Sequence, residues 1–266
     1  MGDAAVDYFG SMETGTDIKD DGDFLGGYSP FESGLYDFTV LLAYLTTSAS
    51  GARCLNVTLK DTSGKELKQQ FWYTSGTSKG CKNFYINNDG EKQYLPGFVM
   101  AQHLAKLTTG GKDFAPGQLV VEPRTIKLYN AEAKKEVPTE VAMCVEMLGK
   151  PVTGGVIKRI VDKNKKSDQT DASGKAVYLP TGETRIENEL VKFFRTRDRM
   201  TVTEILGKAE KGVFAEKWAN KWTGQVEDKS TKNGQAGTAG LPAVGAGAAA
   251  PGATPASSAV VNSLFS

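Results

Sequence analysis

The sequence predicts a mainly β protein, a Greek-key barrel of short antiparallel strands with a minor helical share. Three observations carry that expectation. Apolar residues recur with period two from Leu35 onward, Ser/Gly or polar turns punctuate those runs, and one stretch of helical period interrupts them after the third run.

In "LYDFTVLLAYLTT", Tyr36, Phe38, Val40, Leu42 and Tyr44 alternate, the pattern of a strand with one buried face. "SASGA" turns the chain, and Arg53, Leu55, Val57 and Leu59 alternate in a second strand. After the turn "DTSGKE", the third strand is "LKQQFWYT", where Phe71 and Tyr73 face one way and Trp72 the other. "LPGFVMAQHLAKLTTGG" then reads as a helix. Pro96 suits its first turn, Phe98, Ala101, Leu104 and Ala105 recur at helical spacing, and Gly110 ends it. Strands resume at "QLVVEPRTIKLYN", "TEVAMCVEML" and "GGVIKRIVD", with "AEAKKEVP" and "GKPVTG" as turns. "KNKKSDQTDASGK" reads as a polar loop. "TVTEILGKAE" opens with a capping-box spacing from Thr201 to Glu204, and "VFAEKWANKW" puts Phe214, Trp218 and Trp222 on one helical stripe that packs back on the barrel. A helix between strands three and four of a small Greek-key barrel is the arrangement of the oligonucleotide-binding fold, so the barrel is expected to be OB-fold-like.

Charge divides the chain into an acidic arm and a basic body. Residues 1–34 carry eight acids against Lys19 alone, whereas 35–224 hold 29 basic and 21 acidic residues within a net charge of +1. Three regions follow: an acidic, loosely ordered arm over 1–30, a folded domain over 31–222, and a Gly/Ala/Pro-rich tether over 223–266. The tether ends in the apolar tip "AVVNSLFS", where Leu264 and Phe265 form a hook for a partner protein. Cys54, Cys81 and Cys144 show no CxxC spacing and no apolar leader precedes the arm, so reduced thiols in a cytoplasmic protein are expected.

The residues offer little to an enzyme. His103 is the single histidine and sits among helical apolar residues, which leaves no Ser/His/Asp or Cys/His constellation, and no phosphate-cradling glycine loop is present. No cofactor and no metal are expected. A metal-dependent nuclease or recombination enzyme would draw on Asp113, Glu122, Glu187 and Glu189, and a protein-binding adaptor is the other alternative.

Binding to an unpaired strand suits the chain better, because it needs cations that follow phosphates and rings on which bases stack. "KQQFWYTSGTSKGCKNFY" offers both. Trp72, Tyr73 and Tyr85 are the candidate stacking platforms, and Lys79, Lys82, Lys158, Arg159, Arg195 and Arg197 the candidate phosphate contacts. If "FFRTRDR" is extended, Arg195, Arg197 and Arg199 project to one side.

On "SGLYDFTVLLAYLTTSASGARCLNVTLKD", "FWYTSGTSKG", "YLPGFVMAQHLAKL" and "VPTEVAMCVEMLGK", the chain resembles the single-stranded DNA-binding proteins of tailed bacteriophages over about residues 30–222. The resemblance implies an OB fold that coats exposed template strands in phage replication or recombination, without turnover and in the host cytoplasm. It also implies a mobile C-terminal segment that recruits replication or transcription proteins. Such tails are commonly acidic; here the acid lies in "DIKDDGD" of the N-terminal arm, which is expected to take the part of competing with DNA.

Overall fold

A computed structural model of the chain describes residues 29–130, 133–170 and 176–231. It is mainly β, with antiparallel sheets and few helices. Strands β1 (Gly34–Thr47), β2 (Arg53–Asp61) and β3 (Glu66–Trp72) form a meander. A small hairpin, β4 (Phe84–Ile86) and β5 (Lys92–Tyr94), intervenes before helix α1 (Pro96–Thr108), so the helix stands between the third and fourth strands of the main sheet with an extra hairpin ahead of it. The main sheet continues with the hairpin β6 (Val121–Asn130) and β7 (Lys135–Cys144), then the long hairpin β8 (Pro151–Thr170) and β9 (Ala176–Phe194). Helices α2 (Val202–Leu206) and α3 (Phe214–Trp222) follow, and β10 (Val226–Asp228) adds to β8 in parallel. The described strand β10 thus lies past Gly224, within the stretch expected to be tether. Among the described residues no helix is long and apolar enough to cross a membrane. The acidic run of the arm and the tip with Leu264 and Phe265 lie outside the described residues.

The alternation in β1 does not survive its full length. The register slips between Val40 and Leu42, a β-bulge that switches the faces. Phe38 and Val40 point into the core, but beyond the bulge Ala43 does so, paired with Val57. Tyr44, expected on the buried face, stands on the opposite side beside Asn56. An uninterrupted period of two has no means of registering an extra residue.

"KNKKSDQTDASGK" is largely strand rather than loop. β8 and β9 stay paired from Thr153 and Phe194 to Thr170 and Ala176. Cross-strand polar contacts hold this solvent-exposed part. Lys163 pairs with Glu183 at 2.9 Å, and the Thr181 and Ser167 hydroxyls donate to the carbonyls of Lys163 and Val177, each at 3.0 Å. Polarity here marks a ribbon wet on both faces.

β3 and β9 both run in the direction of β1, yet among the described residues no backbone ladder joins them. The Gln69 side-chain amide spans the gap instead. Its Nε2 donates to the Asn188 carbonyl at 3.1 Å and its Oε1 accepts from the Leu190 N–H at 3.3 Å. Asn188 repeats the device one layer out, exchanging two 2.7 Å bonds with the backbone of Phe31. A primary amide carries the same donor and acceptor as a peptide, so each side chain acts as one rung of a ladder.

The core lies between this curled sheet and α1, with Phe38, Leu55, Leu59, Phe71, Leu104, Met147, Val152 and Phe193 buried. A second cluster forms where α3 lays Ala215 and Trp218 on Ile157 and Phe194, with Trp222 packed against it; of the expected aromatic stripe Trp218 and Trp222 pack in, while Phe214 stays exposed at the helix start. A Cβ at Gly155 would stand 2.9 Å from the Trp218 ring, so the helix seats there only because β8 carries glycine.

Candidate nucleic-acid interface

The aromatic trio at the end of β3 divides as its alternation dictates. Phe71 is buried, and Tyr73 packs onto the same core with its ring 5.0 Å from Phe114 at 80°. Burial raises the Tyr73 hydroxyl pKa. Tyr73, a candidate stacking platform, is therefore occupied in packing. Trp72 points to the other side opposite Cys54, half-buried, with its indole N–H buried and without a partner among the described residues. α1 begins directly against its backbone: a Cβ at Gly97 would collide with the Trp72 carbonyl.

Beyond Trp72 the loop is tied to the β1–β2 turn, where Thr77 donates through its N–H at 2.8 Å and its hydroxyl at 3.2 Å to the Ser50 carbonyl. A 3₁₀ turn over Thr77–Lys79 and the left-handed Gly80 present Lys79 and Lys82 to solvent. The β4–β5 hairpin adds the rings. The ammonium groups of Lys82 and Lys92 stand 5.7 and 5.0 Å from the Phe84 centroid, within range of cation–π attraction. Tyr85 is half-exposed and donates its hydroxyl to Gln93 at 2.7 Å, while Tyr94 is 60% exposed and leans on Phe98 at 4.8 Å. Arg53 is exposed at the start of β2, where its carbonyl accepts from the Tyr73 N–H at 3.0 Å. Among the described residues no ion pair engages Arg53, Lys79, Lys82 or Lys92. Arg53, Phe84, Lys92 and Tyr94 do not stand out in the sequence; the "NNDG" turn between "FYI" and "KQY" is the signal that would have brought the last three together.

The remaining basic candidates lie elsewhere and are mostly paired. Lys158 meets Glu32 at 2.6 Å, and Arg159 is ion-paired with both Glu189 and Glu227. The segment after β9 is not extended. It reverses in a turn, with bonds from the Arg195 N–H to the Met200 carbonyl and from the Arg199 N–H to the Arg195 carbonyl, both 2.8 Å, and with Arg199 at a φ of 58°. The three guanidiniums consequently do not project to one side: those of Arg195 and Arg197 meet at Asp198, and that of Arg199 turns to Asp37. Arg195 grips Asp198 at 2.6 and 2.9 Å, Arg199 clamps Asp37 beside Thr153, and Arg197 is 75% exposed with Asp198 at 3.4 Å. Burial works against the Asp37 charge, but the bonds from Arg199 and Thr153 win and lower its pKa.

A groove of about 450 Å³ opens where β3 and β9 part, lined by Tyr44, Asn56, Lys68, Gln70, Arg159 and Glu187 among others. His103 is half-buried on α1 with its Nδ1 unpartnered among the described residues, and burial, helped by Lys192 and Lys106, pushes its pKa down to about 4. Burial raises Cys54 to about 12 and Cys144 to about 11, so both thiols stay protonated. Among the described residues no group of three or more His, Cys, Asp or Glu side chains converges as metal ligands would. No protein-family model matches this chain, and comparison with curated proteins gives no significant match.

Proposed function

We propose that the protein is a non-catalytic single-stranded DNA-binding protein that coats exposed template strands in phage DNA replication or recombination. The observation that carries this is the patch at the end of β3: four cations without ion pairs among the described residues, Arg53, Lys79, Lys82 and Lys92, interleaved with the rings of Trp72, Phe84, Tyr85 and Tyr94. Unpaired cations are the ones that exchange counterions for phosphates without breaking an internal contact, and accessible rings stack on any base. Lys158, Arg159 and Arg195, each already holding a carboxylate, are the weaker contacts in this reading.

The strand order supports reading the domain as an OB-like barrel. β3-β2-β1-β8-β9 forms a continuous run, α1 follows β3, β3 and β9 are parallel, and β6–β7 is an insertion before β8. Gln69 takes the place of the last seam. Leu264 and Phe265 remain the proposed hook for replication or transcription proteins.

Titrating tryptophan fluorescence with an oligothymidine at two salt concentrations tests the reading. Quenching that weakens with salt, with the oligonucleotide left intact, is the expected result. Cleavage in divalent metal would support the nuclease alternative instead, and no response at low salt would remove nucleic acid as the ligand.

A further inference from the structure

The groove between β3 and β9 lies along the middle of β3, at Lys68, Gln69 and Gln70, next to the basic patch at the strand's end, and has a different chemistry. Its floor is an uncharged ladder across three strands. Asn56, only 8% exposed, donates through Nδ2 to the Thr46 hydroxyl at 2.8 Å and to the Tyr44 carbonyl at 3.5 Å, and its Oδ1 accepts from Gln70 Nε2 at 3.0 Å. These bonds fix the orientation of Asn56 and, through it, that of Gln70. One N–H of Gln70 is used. Among the described residues nothing donates to its Oε1, and the residue is exposed. An adjacent donor and acceptor therefore face the groove. Tyr44, turned to this side by the β-bulge, supplies a half-exposed ring on the wall.

The charges exclude a phosphate track. Glu187 and Glu189 offset Lys68 and Arg159, and Arg159 is already ion-paired with Glu189 and Glu227, which leaves Lys68 alone at the rim. A flat, neutral group with its own adjacent donor and acceptor is the better complement, and about 450 Å³ falls within the ~300–1,000 Å³ of small-ligand sites.

We infer that this groove receives one unpaired nucleobase of the bound strand, its hydrogen-bonding edge on Gln70 and its face on Tyr44. The inference rests on the single-strand-binding reading above. Every base has neighbouring donor and acceptor atoms on that edge, so the pocket requires a base without selecting strongly among them.

The experiment compares an oligothymidine with a fully abasic oligonucleotide of equal length, titrated against the wild-type chain, Gln70→Leu, Tyr44→Leu and the pair Lys79→Ala/Lys82→Ala. Thermal melting establishes that each is folded. The wild type should prefer the oligothymidine. Gln70→Leu and Tyr44→Leu should each reduce that preference by about five- to tenfold while leaving abasic affinity and salt slope unchanged. The double lysine variant should weaken both ligands. If folded Gln70→Leu and Tyr44→Leu keep the full preference, or lose affinity for both ligands equally, the pocket is overturned while the binding function stands. If the wild type binds neither oligonucleotide, the function falls, and the pocket with it.

Discussion

Gln69 and Gln70 are neighbours with opposite duties, and nothing in "KQQFW" separates them except parity. Gln69 shares the inward side with Leu67 and Phe71 and reaches β9, whereas Gln70 shares the outward side with Trp72. Replacing Gln69 by Leu removes two partly buried bonds and leaves the Leu190 N–H and the Asn188 carbonyl without the partner that Gln69 supplies. The expected cost is about 1–3 kcal/mol in chemical denaturation. A change within error would show that the gap between β3 and β9 needs no rung. Tyr73 acts on the inward side too: Tyr73→Ala should lower stability by about 2–4 kcal/mol through its contact with Phe114. His103 governs part of the acid limb. Its folded pKa of about 4 lies below the ordinary 6.5, so neutral burial contributes fully above pH 6.5. That contribution is lost as pH falls towards 4, where only the unfolded state has gained the proton. In His103→Gln the fall in stability between pH 6.5 and 4 should be smaller than in the wild type; an identical pH profile would refute the assignment.

At the scale of elements, one carboxylate organises both short helices. Glu204 completes the capping box of α2 by accepting from the Thr201 N–H at 2.8 Å, and its other oxygen accepts from the N–H groups of Val213 and Phe214 at 2.8 and 2.9 Å, at the start of α3. Burial opposes its charge, but these bonds lower its pKa below the ordinary 4.5, so its contribution is present above that value and lost as pH falls through the folded pKa. Glu204→Ala should cost about 1–2 kcal/mol and loosen α3, seen as faster amide exchange around Trp218. The distal β8–β9 ribbon should behave oppositely. Its described residues are mostly exposed and pair with each other across the two strands, so replacing 163–183 with a two-residue turn should leave the melting temperature within a few degrees. The capping box was legible because its spacing is local. The ribbon was not, because "KNKKSDQT" is polar at every position and gives no apolar alternation when neither face meets a core.

Across the whole molecule, the separation of charge matters more than its sum. Each cation removed from the basic patch should flatten the dependence of log affinity on log salt by about 0.7, so Lys79→Ala and Lys82→Ala together should reduce the slope by about 1.4. Removing residues 1–28, which hold seven acids and Lys19, should raise affinity at low salt and have little effect at high salt, where screening removes the competition. Equal affinities with and without the arm at low salt would show that the acid does not compete.

The sequence by itself determined what is periodic or local: the meander to Trp72, the helix from Pro96, the Thr201 cap and the split of Phe71 and Tyr73 from Trp72. Alternation, caps and turn residues act over a few positions and can be read without knowing where the chain returns. Only the tertiary structure decided the rest. It turned Tyr44 outward through a bulge and set Arg159 between two carboxylates. It folded the segment after β9 back, with Arg195 and Arg197 on Asp198 and Arg199 on Asp37, and let Gln69 stand where a ladder is missing. Each of these depends on a partner far along the chain, on a tight reversal or on one inserted residue, and none of the three leaves a mark in the local pattern.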